Sequence, residues 1–117
     1  MKYKQQQRIN KALRLLDKSF NIKTNVVKIN IHNTIFHELA KCAKAYELIS
    51  EGKQVITEAI FKNGSRADIF VLDDFSVFEI LHSETEKEAL IKTVKYPAEL
   101  DIFYLSSMEV LEEIGIN

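Results

Sequence analysis

The 117-residue chain contains one cysteine, one proline, three glycines and no tryptophan. The single Cys42 excludes an internal disulfide, and no Cys and His cluster has the spacing of a structural zinc site. We expect Cys42 to be a small buried residue on a helix. No apolar run approaches the roughly 18 residues of a membrane span, and the N-terminus lacks the apolar stretch of a signal peptide. We therefore expect a cytoplasmic protein with no membrane partner.

Charge is unevenly distributed along the chain, although the net charge is only −1. Residues 1–30 carry eight bases and one acid, a local net charge of +7, and the remaining residues are correspondingly acidic. A basic segment ahead of an acidic body is attracted to phosphates, so we expect DNA as the partner. The candidate DNA-binding residues are Lys4, Arg8, Lys11, Arg14 and Lys18.

The chain divides into a basic N-terminal helix and extension, residues 1–32, and a core, residues 33–117, within one domain overall. Apolar spacing predicts an amphipathic helix over residues 4–20. Residues 21–32 fit either a short strand or an extended linker. A core of this size folds without disulfides, and a homodimer would bury more surface.

A second helix is predicted over residues 34–50, capped by Asn33 or Thr34 and ended at Gly52. Its predicted buried stripe consists of Ile35, Leu39, Cys42, Ala43, Tyr46 and Ile49.

The rest of the core alternates strands and helices. Residues 55–61 and 66–72 read as strands joined by a tight turn at Asn63-Gly64, and 75–81 as a third strand. A capping box at Ser83 and Glu86 predicts a helix over 84–95, followed by a strand at 100–106 and a short helix capped by Ser107. The predicted fold is α/β, with a mixed sheet of about four strands flanked by helices. Strands three and four are expected to be parallel, because a helix connects them.

Three acids stand out in this order of elements: Glu38 on the second helix, Asp68 on strand two and Glu79 on strand three. Asp68 and Glu79 each interrupt an apolar strand, and a lone buried carboxylate is costly unless it is paired or bound to a metal. Converging carboxylates suit Mg²⁺, which prefers oxygen ligands and activates water.

The order of elements resembles that of the PD-(D/E)XK nuclease superfamily, and so do the segments Arg66-Ala67-Asp68 and Glu79-Ile80-Leu81 and the helical Glu38. The resemblance covers about residues 33–117, and the most similar members are small archaeal Holliday-junction resolvases and related archaeal viral or plasmid nucleases. It implies a DNA endonuclease in which Glu38, Asp68 and Glu79 hold Mg²⁺ or Mn²⁺. It also leads us to expect selectivity for branched DNA and assembly into a homodimer.

One position departs from the family pattern, which has a lysine where this chain has Leu81. Residues i and i+2 of a strand share a face, so Leu81 occupies the place of the missing amine. Lys87 or Lys62 is expected to supply the charge from elsewhere, and we take Lys87 as the catalytic candidate. If no other lysine replaces the missing charge, the chain is an inactive member of the superfamily that binds DNA or assembles with other proteins. A viral or plasmid accessory protein acting only through protein contacts is a third hypothesis.

Two neighbours of these acids have simpler interpretations. We expect Glu58 to be an exposed strand acid. We expect His37 to be a surface or capping-turn histidine, although it is also placed to donate a hydrogen bond to the site.

Overall fold

Four strands form one mixed sheet in a computed structural model of the chain, which describes residues 2–116. The elements are α1 (Lys2–Leu13), α2 (Ile35–Ser50), β1 (Val55–Ile60), β2 (Arg66–Val71), β3 (Ser76–Leu81), α3 (Glu86–Thr93), β4 (Asp101–Ser106) and α4 (Ser107–Glu113). The strand order is β1-β2-β3-β4, with the first two pairings antiparallel and the last parallel. The predicted α/β class, the hairpin and the parallel pairing are confirmed.

The first helix is shorter than predicted. It ends at Leu13 rather than near residue 20, because the following residues join the edge of β1 instead. The Asp17 amide donates to the Ile60 carbonyl at 2.8 Å, and the Lys62 amide donates to the Leu15 carbonyl at 3.0 Å. Leu16 is fully buried there. Residues 14–18 are therefore stabilised by backbone hydrogen bonds to the edge of β1 and by burial of Leu16, and they do not continue the helix.

Residues 21–32 form an extended linker and not the short strand that was the other alternative. It runs beside β1 without forming a strand of the sheet. The Asn25 amide donates to the Val55 carbonyl, and the Lys28 amide donates to Thr57 Oγ1. This segment therefore covers much of the edge of β1, where unpaired backbone groups would otherwise be exposed.

The second helix has the predicted length, but the prediction of its buried face was wrong. Ile35 and Tyr46 are 67% and 74% exposed, and Leu39 and Cys42 are exposed as well, while Ala43 and Ile49 are half-buried against the core. The buried residues of α2 are His37, Glu38, Ala40, Lys41, Ala45 and Leu48. Apolar periodicity failed here because three ionisable side chains occupy the face that meets the sheet.

The third helix begins two residues later than predicted. Thr85, not Ser83, is its N-cap, and Glu88 completes the capping box. Both pairs have the same spacing in the sequence, so the pattern alone did not distinguish them. The later start leaves Glu84 outside the helix, where its side chain binds Lys92.

The sheet has a different core on each face, because successive strand residues point to opposite sides. The α1-side cluster consists of Ile9, Ala12, Leu16, Ile56, Ala59, Phe61, Ala67, Phe70, Leu72, Val77, Tyr96 and Leu100. The α2-side clusters consist of Ala45, Leu48, Val55, Ile69 and Val71, with Ala40, Ile80, Val110 and Leu111 beside α4. Within residues 2–116, no helix is long and apolar enough to cross a membrane.

Candidate active site

A cavity of about 570 Å³ opens where β2 and β3 separate from each other. Its ionisable lining residues are His37, Glu58, Arg66, Asp68, Glu79, Glu84, Lys92, Lys95 and Tyr96. Leu81, Asn30 and Asn33 also line it. The cavity thus combines four carboxyl groups with three permanent cations, which is an unusual concentration of charge for so small a domain.

Asp68 and Glu79 lie at the point where the backbone pairing of β2 with β3 stops. The last paired residues toward the cavity are Ile69 and Phe78. Beyond them the side chains take over the cross-strand bonds: the Asp68 amide donates to Glu79 Oε2 at 2.9 Å, and the Ile80 amide donates to Asp68 Oδ2 at 2.8 Å. Two carboxylates therefore replace backbone carbonyls as acceptors and are fixed beside each other.

The regular alternation of β1 and β2 breaks at the same place. Ile56 and Ala59, three residues apart, belong to one cluster, and so do Ala67 and Phe70. Glu58 lies inside this irregular stretch with φ of 52°, in the left-handed region that non-glycine residues rarely adopt. Its side chain is only 11% exposed and lines the cavity. The prediction of an exposed strand acid was therefore wrong.

His37 bridges two acids instead of lying on the surface. Its Nδ1 is 2.6 Å from Glu38 Oε2, and its Nε2 is 3.2 Å from Asp68 Oδ2. Burial would lower the pKa of His37, but the hydrogen bond to Asp68 and the charges of Asp68 and Glu38 raise it to about 9. The ring therefore carries a positive charge at neutral pH and donates from both nitrogens. His37 is thus buried and not a surface residue, although it does lie in the capping turn, where its amide donates to Thr34 Oγ1, and it makes the expected hydrogen bond to the site.

Glu38 is anchored behind His37 and does not line the cavity. Lys41, which is fully buried one turn further along α2, donates to Glu38 Oε1 at 2.6 Å. Burial would raise the pKa of Glu38, but hydrogen bonds from the Asn30 amide, Lys41, His37 and Asn33 outweigh it and lower the pKa to about 2. All of this fixes Glu38 as an anion that positions His37.

Glu79 shares its proton with Tyr96. Burial, together with the charge of Asp68, raises the pKa of Glu79 to about 8. The Tyr96 hydroxyl contacts both Glu79 Oε1, at 2.7 Å, and the Arg66 carbonyl. One hydroxyl proton serves only one of these two acceptors. A protonated Glu79 resolves the geometry, because it donates to Tyr96 while Tyr96 donates to Arg66.

The lysines predicted to replace the missing cation at position 81 do not reach the cavity. Lys87 is exposed on α3 and Lys62 is exposed at the hairpin, and neither lines the cavity. Lys92, on the same helix as Lys87, and Lys95 do line it. Leu81 itself is part of the lining, so its position matches the expectation while its side chain contributes no charge.

The candidate DNA-binding residues Lys4, Arg8, Lys11, Arg14 and Lys18 are all exposed. Lys4, Arg8 and Lys11 follow one another at intervals of about one helical turn along α1. The three border a shallow groove with Asp74 and Glu99. None of the five lines the cavity.

Lys41, Tyr96 and Asn30 are among the participants of the site that were absent from the sequence-based interpretation. Lys41 carried a usable signal, because positions i and i+3 on a helix are neighbours and Lys41 follows Glu38 by three. Tyr96 carried none, since it is distant in sequence from Glu79 and no local pattern links them. Asn30 carried none either, because it lies in the irregular segment before α2.

Two carboxylates of this arrangement fit a magnesium ion. Among residues 2–116, no group of three or more His, Cys, Asp or Glu side chains is arranged to hold a metal. Magnesium at phosphate sites, however, uses one or two carboxylates and completes its shell with water and substrate oxygens. Both hydrogen bonds to the Asp68 side chain end on Oδ2, so Oδ1 is the oxygen that suits a cation. Asp68 therefore suits the ion and Glu79 would hold it after losing its proton, whereas Glu38 is withdrawn from the cavity.

None of the protein-family models, curated proteins or solved structures compared with the chain matches it. The assignment of a function therefore rests on the geometry of the cavity and on the residues around it.

Proposed function

We propose that the chain is a metal-dependent endonuclease that hydrolyses DNA phosphodiesters in the cavity, with branched DNA among its substrates. The observation that supports this most is the pair Asp68 and Glu79, held side by side where β2 and β3 separate. The resemblance of these segments to the PD-(D/E)XK superfamily supports the same assignment. Three cations at the cavity suit a polyanionic substrate.

The reaction is the addition of one water to one phosphodiester. A P–O bond to water forms and the P–O bond to one deoxyribose breaks, which leaves a phosphate monoester on one strand end and a hydroxyl on the other. One proton of the water ends on the departing hydroxyl. When bound, Mg²⁺ or Mn²⁺ would supply an activated water and neutralise charge on the phosphate.

The chain's own residues prepare the two carboxylates. His37 and the Ile80 amide both donate to Asp68 Oδ2, which orients Oδ1 away from them. Glu38, held in turn by Lys41, keeps the His37 ring in place. Tyr96 and the Asp68 amide fix the two oxygens of Glu79. Preorganisation of this kind reduces the rearrangement needed when charge develops in the reaction.

A second candidate is a DNA-binding protein that does not cleave. The specific observation in its favour is that the acids are already compensated: His37 contacts both Glu38 and Asp68, and Lys41 contacts both Glu38 and Glu58. Leu81 adds no charge to the cavity. In that case, the basic residues of α1 would carry the function and the cavity would be a relic of the fold.

Cleavage assays with matched variants separate the two candidates. We expect wild type to nick branched or linear DNA with Mg²⁺ or Mn²⁺, and to be inactive in chelator. Asp68→Asn and Glu79→Gln should abolish cleavage while the fold and DNA affinity are retained, because each removes one carboxyl group that would hold the ion and keeps the shape of the side chain. Asp101→Asn is the control, since Asp101 is an exposed strand acid outside the cavity.

The second candidate predicts a different pattern. Wild type would bind DNA without cleaving it, and Leu81→Lys would create metal-dependent nicking by adding a cation on the face of β3 that lines the cavity. Failure of both wild type and Leu81→Lys to cleave, with no metal affinity lost in Asp68→Asn, would reject a nuclease site altogether.

A further inference from the structure

The cations of the cavity are not equivalent. Arg66 is 55% exposed and approaches its nearest acid, Glu58, only at 4.0 Å. Lys95 and Lys92 both line the cavity and are both exposed, Lys92 with 67% of its side chain accessible. Lys92 instead donates to Glu84 Oε2 at 2.6 Å, and both residues of that pair line the cavity. Lys92 is therefore the one lysine of the described lining whose ammonium group is held at the cavity by an ion pair.

Glu84 holds Lys92 there because of where α3 begins. Since Thr85 caps the helix, Glu84 lies in the bend between β3 and α3, while Lys92 lies two helical turns further on. The hydrogen bond to Glu84 raises the pKa of Lys92, and the charges of Glu84, Glu79 and Asp68 act in the same direction. Lys92 thus lines the same cavity as the two central carboxyl groups, Asp68 and Glu79.

A phosphate entering the cavity needs such a cation. It approaches Asp68 and Glu84, and their negative charges disfavour its approach. Leu81, the other side chain of β3 that lines the cavity beside Glu79, offers no compensation. Lys92 is paired with the Glu84 carboxylate when the cavity is empty and would be paired with the phosphate when DNA is bound. Its positive charge therefore has an anionic oxygen as partner in both states.

We propose that Lys92 contacts the phosphate of DNA bound in the cavity and is a catalytic residue, and that Glu84 is its positioning residue. The catalytic part of this assignment rests on the proposed nuclease function, whereas the phosphate contact does not. The assignment replaces Lys87, which lies on the same helix but outside the cavity.

The test compares Lys92→Ala with Lys87→Ala. Lys92→Ala should lower the cleavage rate about tenfold or more, as loss of one group that stabilises developing charge does. In chelator, where no cleavage occurs, it should also reduce the slope of log affinity against log salt by about 0.9, the contribution of one phosphate contact. Lys87→Ala should change both quantities less. Glu84→Gln, which keeps Lys92 but frees it, should lower the rate and leave the salt slope close to that of wild type.

A suppressor variant sharpens the catalytic assignment. Leu81→Lys places an amine in the cavity from β3, so Lys92→Ala should cost much less in the Leu81→Lys background than in wild type. Equal losses in the two backgrounds would show that Lys92 does not act at the phosphate during cleavage. An unchanged salt slope in Lys92→Ala, or an effect of Lys87→Ala as large as that of Lys92→Ala, would overturn the proposal.

The two proposals fail in distinguishable ways. If wild type and Leu81→Lys do not cleave, the nuclease function is rejected, and with it the catalytic role of Lys92. The salt slope in chelator then still decides the contact: a reduction of about 0.9 in Lys92→Ala supports it, and no reduction rejects it.

Discussion

The two faces of the sheet are filled in opposite ways. On one face, the α1-side cluster consists of apolar side chains and the buried ring of Tyr96. On the other, α2 buries His37, Glu38 and Lys41 next to its alanines and Leu48. The charged face is tolerated because no buried side-chain nitrogen or oxygen among residues 2–116 lacks a hydrogen-bond partner. One face is thus filled mainly by apolar packing and adds only Tyr96 to the site, whereas the other is filled by ionisable side chains that position His37 and Asp68.

Replacing the buried lysine should have the largest effect on the charged face. Lys41→Met keeps the length of the side chain but leaves Glu38 and Glu58 without their cation, and should cost about 3–5 kcal/mol of unfolding free energy. The measurement is denaturant unfolding at neutral pH. The double variant Glu38→Gln/Lys41→Met should recover part of the loss, since one uncompensated carboxylate is gone. A double variant no more stable than Lys41→Met would contradict the pairing.

Shortening a core leucine tests the apolar face with a comparable effect. Leu16→Ala should cost about 2–5 kcal/mol, because the side chain is fully buried against the sheet. Leu39→Ala, on the exposed stripe of α2, is the matched control and should stay within about 0.5 kcal/mol of wild type. A large loss in Leu39→Ala would show that this stripe is covered in solution.

The pH dependence of stability should come from two groups, Glu79, which bonds to Tyr96 on the α1 side of the sheet, and His37 on the charged face. Between pH 4.5 and about 8, folded Glu79 holds a proton that the unfolded chain has released, so stability falls as pH rises. Between pH 6.5 and about 9, folded His37 holds a proton that the unfolded chain has released. Its contribution to stability is therefore complete below pH 6.5 and is lost as the pH rises to about 9. Each proton changes the slope by at most about 1.4 kcal/mol per pH unit.

One variant separates these two titrations. Glu79→Gln should have a flat stability profile between pH 4.5 and 6.5, where Glu79 alone titrates, and should still lose stability above 6.5 because of His37. Unfolding midpoints measured in chelator at several pH values test this. A wild-type profile that rises between pH 5 and 8 would refute both assignments.

The smallest expected effect concerns the outer side of α1. Residues 2–18 cannot be deleted as a clean test of DNA binding, because Ile9, Ala12 and Leu16 are part of the core. Substituting only the exposed Lys4 and Lys11 by Gln should preserve the fold. If both contact phosphates, the salt slope of DNA binding should fall by about 1.8. Gln7→Ala on the same helix is the neutral control, and an unchanged slope in the lysine variant would remove α1 from the DNA interface.

Local patterns predicted most of the fold, because the elements are set by short-range signals. The Asn63-Gly64 turn fixed the hairpin, since Gly64 adopts the left-handed conformation that such a turn requires. The helical connection made β3 and β4 parallel. The patterns failed where two signals were equivalent, as for the cap of α3, and where tertiary contacts opposed them, as for the end of α1.

For the candidate site, the sequence by itself determined which acids interrupt the apolar strands, since Asp68 and Glu79 are visible against their neighbours, and that position 81 carries leucine. Only the tertiary structure decided which face of α2 is buried, because burial of Lys41 and His37 depends on partners that lie far away in the chain. The same holds for Tyr96 at Glu79, and for Lys92 at the cavity in place of Lys87. Periodicity records the hydrophobicity of a residue, whereas a buried charge is stabilised by specific hydrogen bonds that form only when distant segments meet.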